Sequence, residues 1–302
     1  MPDTDVRRIP RTSQVFSYSA AHAPCATVAP GETVVVETTN AFGDHRLGPG
    51  DTLAGLDLDQ ADPLTGPLYV EGAEPGDSIA VHIEHIELVG TGVQGIIPGF
   101  GILDWKRLPL HVFEPRDGRI RWLRGIEIEV RPNLGAMGVA PEHGAIPSLE
   151  PGDHGGNQDC RYVCAGSAIH LPVFHPGALL FLGDCHQIQG DGELCGVAPE
   201  TDAEVTLRVE LLKGRTIRRP RIMAAERFMT LASAKTLEDA VKLATRDAVD
   251  LLVEEKGLTE DEAYLLITIK ADVEICQVVD PLMTVRVAMD REFFERLAPD
   301  GG

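Results

Sequence analysis

The stretch Val205-Thr206-Leu207-Arg208-Val209-Glu210-Leu211 alternates apolar and polar side chains without interruption. Because successive side chains of a strand point to opposite faces, this pattern predicts a half-buried antiparallel strand. Residues 79–83 and 126–130 repeat the alternation, and Pro-Gly turns at 75–76 and 176–177 precede apolar segments of strand length. The sequence therefore predicts a mainly β protein with a β-sandwich-like core.

The C-terminal third changes from alternation to helical spacing after about residue 220. Thr236 and Thr259 are each followed three residues later by an acidic residue, as at a helix N-terminus, and Gly257 ends the first apolar periodic segment. We expect two helices whose apolar faces pack on the sheet. The predicted fold is thus mainly β with flanking α-helices in the C-terminal third, and residues 1–302 form one unit.

Charge and hydropathy exclude several classes of function. The chain has 302 residues and a formal net charge of −20, and it lacks the clustered basic residues on which nucleic-acid binding depends. No segment approaches the ~18 consecutive apolar residues of a membrane span, and the acidic stretch Met1-Pro2-Asp3 does not resemble a signal peptide. We expect a cytoplasmic protein that binds neither nucleic acid nor membranes.

Two Gly-rich loops carry an unusual density of polar side chains. Residues 183–193 contain Asp184, His186, Gln189, Asp191 and Glu193, and residues 151–159 again combine histidine, asparagine and aspartate. Carboxylate oxygens and imidazole nitrogen together suit a divalent cation, whereas polar hairpins exposed to solvent are the alternative interpretation. Apolar runs of strand length separate the loops, so neighbouring strands are expected to bring both loops to one cavity.

Ordered motifs extend through most of the chain. They occupy residues 63–77, 137–141, 154–159, 171–173, 177–179, 183–193 and 277–281, and include His154-Gly155-Gly156-Asn157-Gln158-Asp159 and Gln277-Val278-Val279-Asp280-Pro281. In these motifs the sequence resembles the acetamidase/formamidase family of amide hydrolases. The resemblance implies a mostly β fold with flanking helices, a homo-oligomer (dimer or tetramer), and hydrolysis of short aliphatic amides to ammonia and a carboxylate.

The sequence departs from that family beside the second loop. Gln187 and Ile188 stand where the family usually has alanine, so the pocket is expected to be reshaped. Cys185 replaces a small or apolar residue, and its neighbour His186 would point to the opposite face of a strand. A thiol nucleophile is therefore not favoured.

Amide hydrolysis requires an activated water, a polarised carbonyl and a proton for the leaving nitrogen, and a divalent cation serves the first two. The predicted metal ligands are Asp159, Asp184 and His186. The predicted catalytic residues are Glu142, His154 and Glu193, of which Glu193 is either a base or a fourth ligand. The predicted substrate-binding residues are Asn157, Gln189 and Asp191. Zinc is the expected cation, and calcium is the alternative.

Two other functions fit the same residues. One is hydrolysis of a cyclic amide, a lactone or a carbamoyl compound in the same site. The other is a non-catalytic protein that binds a metal or a small molecule.

Overall fold

The computed structural model describes residues 6–43, 47–103, 105 and 109–297. These residues contain 20 strands, three α-helices (α1–α3) and two short 3-10 helices. Strands β1 to β10 are Arg7–Ile9, Gln14–Val15, Ser17–Ser19, Ala26–Val28, Thr33–Thr38, Leu64–Val70, Ser78–Gln94, His111–Phe113, Arg119–Arg121 and Glu127–Glu129. Strands β11 to β20 are Asn133–Val139, Ala145–Pro147, Gly155–Asn157, Ala168–Pro172, Leu180–His186, Glu200–Leu212, Arg221–Met223, Arg227–Ala234, Ala271–Gln277 and Met283–Asp290. The helices α1 to α3 are Leu237–Lys256, Glu260–Lys270 and Arg291–Arg296, and the 3-10 helices are Leu58–Gln60 and Leu123–Gly125.

One sheet of 16 strands forms the body of the protein. Its main path runs β13-β11-β15-β16-β7-β14-β17-β18-β20-β19, and β5, β6 and β8 branch from it. The pairs within it are antiparallel except for β1 with β5 and β4 with β6. Two small antiparallel sheets, β9 with β10 and β3 with β12, complete the strand structure. The predicted mainly β class is confirmed.

Strand β16 shows why the alternating stretch determines the fold. Val205, Leu207 and Val209 are fully buried in the main core cluster, whereas Thr206 and Arg208 on the other face are half-buried. The strand bonds β7 along one edge and β5 along the other. It is therefore a central strand with one apolar face, as the alternation predicts.

The alternation at 126–130 gives a different result. Only Glu127–Glu129 is a strand, it pairs with β9 alone, and Ile126 is 51% exposed. Ile128 and Val130 are half-buried as predicted, but Ile126 is uncovered, and the two-stranded sheet is separate from the main sheet.

The helices begin and end where the sequence predicts. The Thr236 side chain accepts from Asp239 N, and Gly257 ends α1 in the left-handed conformation that favours glycine. Thr259 and Glu262 form a reciprocal capping box at the start of α2. Both helices contribute to a second apolar cluster, in which Ala244 and Leu252 pack with Val285 of β20. No helix in the described part of the chain has an apolar stretch long enough to cross a bilayer.

Strand β11 brings the two Gly-rich loops together. It pairs with β15 on one side, where Asn133 lies opposite His186, and with β13 on the other, where Ala136 lies opposite Asn157. Residues at the end of β15 and just after β13 therefore lie on either side of the same strand. The sheet thus sets their separation before any loop conformation contributes.

Candidate active site

A cavity with a free volume of about 30 Å³ lies where these strands end. One half of its wall is acidic and comprises Asp62, Asp159, Asp184, Glu193, Glu200 and Asp280. His186 and Asn157 complete that half, and the lining residues that the structure describes include no lysine or arginine. The cavity therefore concentrates six carboxylates around a single imidazole.

The end of β15 supplies the central pair. Asp184 and His186 are two residues apart and share a face, and His186 Nε2 lies 3.1 Å from Asp184 Oδ1. The same nitrogen lies 3.2 Å from Glu200 Oε2 and 4.0 Å from Asp159 Oδ1. Cys185 points the other way into the main core, and burial raises the pKa of its thiol. This orientation agrees with the expectation that Cys185 is not a nucleophile.

Four of the cavity carboxylates have an unusual backbone. The φ angles of Asp62, Asp159, Asp184 and Glu193 are 51°, 47°, 52° and 41°, in the left-handed region that side chains other than glycine rarely adopt. Such conformations cost on the order of 1–3 kcal/mol each, and they cluster at functional sites. The surrounding hydrogen bonds must hold them, as when Asp159 N donates to Gly135 O at 3.1 Å.

Gly135 gives two of the carboxylates their space. A Cβ at this position of β11 would overlap Asp184 Oδ2 and would lie 2.5 Å from Asp159 Oδ1. Its φ lies outside the left-handed region, so the need for glycine here is steric and not conformational. The absence of a side chain lets the two carboxylates approach the same point from either side of the strand.

Two amide side chains fix the imidazole ring. Gln189 Oε1 accepts from Asn133 Nδ2 at 2.7 Å and lies 3.4 Å from His186 Nδ1. The same glutamine donates through Nε2 to the Asp159 carbonyl at 3.0 Å. Asn133 Nδ2 also lies 3.4 Å from His186 Nδ1, so the two amides hold the ring with Nε2 facing the carboxylates.

Burial and crowding shift the titration of the cluster. Burial raises the pKa of Asp159 to about 7, and repulsion from Asp184 adds to the rise. Burial also raises the pKa of Asp62, Glu193, Glu200 and Asp280, and neighbouring carboxylates add to each rise.

The central pair is shifted in the opposite sense. Burial disfavours the imidazolium of His186, but Asp184 and Glu200 outweigh it and raise its pKa well above the ordinary value. Burial alone would raise the pKa of Asp184, yet attraction to His186 holds it below the ordinary value. Ionisation of all six carboxylates at once is therefore energetically costly when the polypeptide supplies the only compensating charge.

Asn157 is the predicted substrate-binding residue that faces the cavity. Its Nδ2 donates to Asp159 Oδ2 at 2.8 Å and lies 3.3 Å from Asp280 Oδ2. Its Oδ1 is buried and has no hydrogen-bond partner among the described residues. A lining carboxamide with a free acceptor is suited to receive an N–H group of a ligand.

Two other predicted substrate-binding residues are engaged elsewhere. Gln189 supports His186 and Asp159 as described, and it is absent from the cavity wall. Asp191 forms a bidentate ion pair with Arg286, at 2.9 and 2.7 Å, and lies 3.2 Å from Arg161. Arg286 is itself fully buried and also bonds Glu274 at 2.6 Å. Asp191 thus anchors the loop of residues 190–194 to β20.

The structure separates two predicted catalytic residues from the cavity. The Glu142 side chain is 69% exposed, on a turn after β11, and its ionic neighbour is His143 at 4.0 Å. His154 is buried, its ring packs edge-on against Tyr18 at 4.7 Å between centroids, and both ring nitrogens lack hydrogen-bond partners within the described ranges. Burial lowers the pKa of His154 to about 4. Neither side chain lines the cavity.

Sequence reasoning missed Asp62, Glu200 and Asp280 as members of the site. Asp280 lies in the motif 277–281, where its neighbour Gln277 accepts from Asp280 N at 3.1 Å. Glu200 is the ladder partner of His186 across β15 and β16. The register that joins them is not encoded in either segment alone. Asp62 immediately precedes the motif 63–77, which was the one available signal for it.

The bulky replacements at 187 and 188 do not enter the cavity. Gln187 is fully buried against Gly92, where a Cβ would overlap its carboxamide, and its Nε2 donates to Phe113 O at 3.3 Å. Ile188 lines an outer groove. Gln187 and Ile188 therefore do not reshape the cavity by direct contact with it.

Known proteins are similar to this chain in fold and in sequence. The crystal structure of acetamidase from Bacillus halodurans superposes with a TM-score of 0.93 at 34% identity, covering 96% of this chain and 99% of that one. A predicted acetamidase/formamidase from Thermoanaerobacter tengcongensis gives a TM-score of 0.92 at 34% identity, covering 96% and 97%. An acetamidase from Mycolicibacterium smegmatis is 29% identical over 63% of this chain, which spans 63% of that relative's length. The model of the acetamidase/formamidase family matches residues 18–150 and 142–296, and the chain therefore belongs to this family.

Proposed function

We propose that the protein is an amidase that hydrolyses the C–N bond of short aliphatic amides, with a divalent cation in the carboxylate cavity. The observation that carries the proposal is the convergence of six carboxylates and one imidazole on one cavity. The names of the acetamidase relatives support the substrate class. Water adds to the carbonyl carbon and the C–N bond breaks, so the products are a carboxylate and ammonia.

The donor set fits a divalent cation. Buried carboxylates need a compensating positive charge, and His186 supplies at most one. The spacings of 3.1, 3.2 and 4.0 Å from His186 Nε2 to carboxylate oxygens resemble the roughly 3.4 Å between ligands of a tetrahedral zinc ion with bonds of about 2.1 Å. The imidazole nitrogen favours zinc, whereas the number of carboxylates also suits calcium.

Two groups of side chains could hold the cation. One is Asp159, His186 and Glu193, and the other is Asp184, His186 and Glu200, with the ligand atoms of each group within 4.8 Å of one another. The groups share His186. We propose Asp159, Asp184 and His186 as ligands, with Glu200 as the competitor of Asp159. Glu193 then remains available as a base.

The side chains divide the remaining work. A bound cation would lower the pKa of water to about 7 and polarise the amide carbonyl. Glu193 takes a proton from the attacking water and delivers it to the leaving nitrogen, as general base and then general acid. Asn157 Oδ1 accepts from the amide NH₂ group and orients it, while Asp159 and Asp280 hold the Asn157 amide nitrogen. Gln189 keeps the His186 ring in place.

The first experiment measures ammonia released from formamide, acetamide and propionamide by the purified protein. The same preparation is assayed after chelation and after restoration with zinc or calcium, and its metal content is measured each time. We expect release that disappears with the metal and returns with one of the two cations. A fully metallated protein that releases no ammonia from any of these amides would contradict the proposed activity.

Variants then assign the side chains. Asp184→Asn and His186→Ala are expected to lose both metal and turnover, whereas Asp261→Asn on the surface of α2 changes neither. Comparing the metal content of Asp159→Asn with that of Glu200→Gln identifies which of the two is a ligand. Glu193→Gln is expected to keep the metal and lose turnover. Glu142→Gln tests the remaining prediction for Glu142, and a full rate in this variant removes Glu142 from the mechanism.

A cytoplasmic location and a homo-oligomer of two or four chains are also proposed, from the sequence and its family resemblance. Sedimentation of the purified protein measures the second property directly. A monomer at micromolar concentration would contradict it.

A further inference from the structure

The rest of the cavity wall is apolar. It includes Phe42, Leu58, Ile97, Phe100, Leu149 and Val197. An amide substrate has the same division, since its carbonyl and nitrogen are polar and its acyl chain is not. This inference rests on the proposed function. The complementarity puts the reacting amide at His186 and directs the acyl chain toward the apolar wall.

The cavity leaves little room on that side. Its free volume is about 30 Å³. Each methylene added to an acyl chain therefore competes with the wall side chains for space. The length of chain that the site accepts depends on which of these side chains can be displaced.

Phe100 is a wall residue whose ring packs on the backbone of a neighbouring loop. Its ring lies directly on the Cα of Gly196, where a Cβ would overlap ring carbons Cδ1 and Cε1. Ile102 N donates to Leu194 O at 2.9 Å, which ties the segment after Phe100 to the same loop. A Cβ at Gly101 would lie 3.1 Å from Cys195 O, so the two segments are in backbone contact there as well. The ring is therefore held in place within the apolar part of the cavity wall.

We propose that Phe100, resting on Gly196, sets the upper limit on the length of the acyl chain. Replacement by alanine removes the ring while leaving the backbone tie between Ile102 and Leu194 in place. Burying each further methylene favours binding by about fourfold, from about 0.8 kcal/mol per CH₂. Room for two more methylenes would therefore raise the preference for a longer amide by roughly 15-fold.

The test compares kcat/KM for acetamide, butyramide and hexanamide in the metallated protein and in Phe100→Ala. We expect the ratio of butyramide, which is two methylenes longer than acetamide, to acetamide to rise roughly 15-fold in the variant. Leu194→Ala is the matched control, because this residue belongs to the same loop but is exposed outside the cavity; its ratio is expected to change less than twofold. A Phe100→Ala enzyme that hydrolyses acetamide with an unchanged ratio would overturn the role of Phe100.

Calorimetric binding of the same amides separates this inference from the proposed activity. Turnover with an unchanged ratio refutes the role of Phe100 and leaves the amidase assignment intact. Binding of butyramide that improves roughly 15-fold relative to acetamide in Phe100→Ala, without ammonia release in any variant, refutes the amidase assignment and supports the acyl wall. Loss of acetamide binding and turnover in Phe100→Leu, which keeps an apolar side chain, would also overturn the proposal.

Discussion

Replacing Gly135 by alanine is expected to lower amide hydrolysis about 100-fold by moving two carboxylates. The new methyl would overlap Asp184 Oδ2, and it would lie 2.5 Å from Asp159 Oδ1, where ordinary contact begins at 3.4 Å. Asp159 must therefore retreat by about 0.9 Å, and Asp184 must retreat further. Misplacement of catalytic groups by about 1 Å can reduce a rate about 100-fold.

The same substitution should have a moderate effect on folding. Overpacking of a well-packed site costs about 1–3 kcal/mol, and alanine suits the backbone conformation at Gly135. The assay pairs ammonia release with metal content and with urea unfolding. Gly190→Ala is the control, because no atom lies within 4 Å of its added Cβ and its φ is outside the left-handed region. Full activity in Gly135→Ala would refute the view that the two carboxylates must converge at this point.

Three further changes test other parts of the structure. Arg286→Met should lower the free energy of unfolding, measured in urea, by about 2–3 kcal/mol, which is less than for a fully buried pair because Asp191 and Glu274 are partly exposed. The control Arg296→Met, at an exposed ion pair, should change it by less than about 0.5 kcal/mol. Equal effects of the two substitutions would contradict a structural role for Asp191. The pKa of His154 is lower when folded than when unfolded, so its contribution to stability is present above about pH 6.5 and is lost as the pH falls toward 4. Between pH 7 and 4.5 the wild type should lose about 2–3 kcal/mol more than His154→Phe, and parallel pH profiles would exclude this. Thr259→Ala should destabilise the protein by about 1 kcal/mol through loss of the α2 cap, and an unchanged unfolding midpoint would show that the cap is dispensable.

Local patterns were sufficient to predict several of the strands and the two longer helices. The prediction of the strand around Val205 depends on a two-residue periodicity. The prediction of the helix after Thr236 depends on an N-cap signal between residues three apart. Both signals lie within a few residues, so they can be recognised without knowing the partner strand. Ile126 shows the limit, since alternation states which side chains share a face but not whether another layer covers that face.

The composition of the site was only partly accessible from sequence. Asp184 and His186 are two apart on one strand, so their common face follows from strand geometry. Glu200 faces His186 only because of the register between β15 and β16, and Asp191 meets Arg286 across 95 positions of the chain. Such pairings depend on the whole sheet. Proximity in sequence to Glu193 was therefore a poor guide to the role of Asp191.

The left-handed backbone at Asp62, Asp159, Asp184 and Glu193 places the stability of this protein in conflict with its activity. Glycine or asparagine tolerates that conformation better, and either would also remove a buried negative charge. Selection for thermal stability alone is therefore expected to enrich replacements at these four positions. The selected variants should be more stable and inactive. In this family member, a rise in melting temperature is a reason to check whether the enzyme still works.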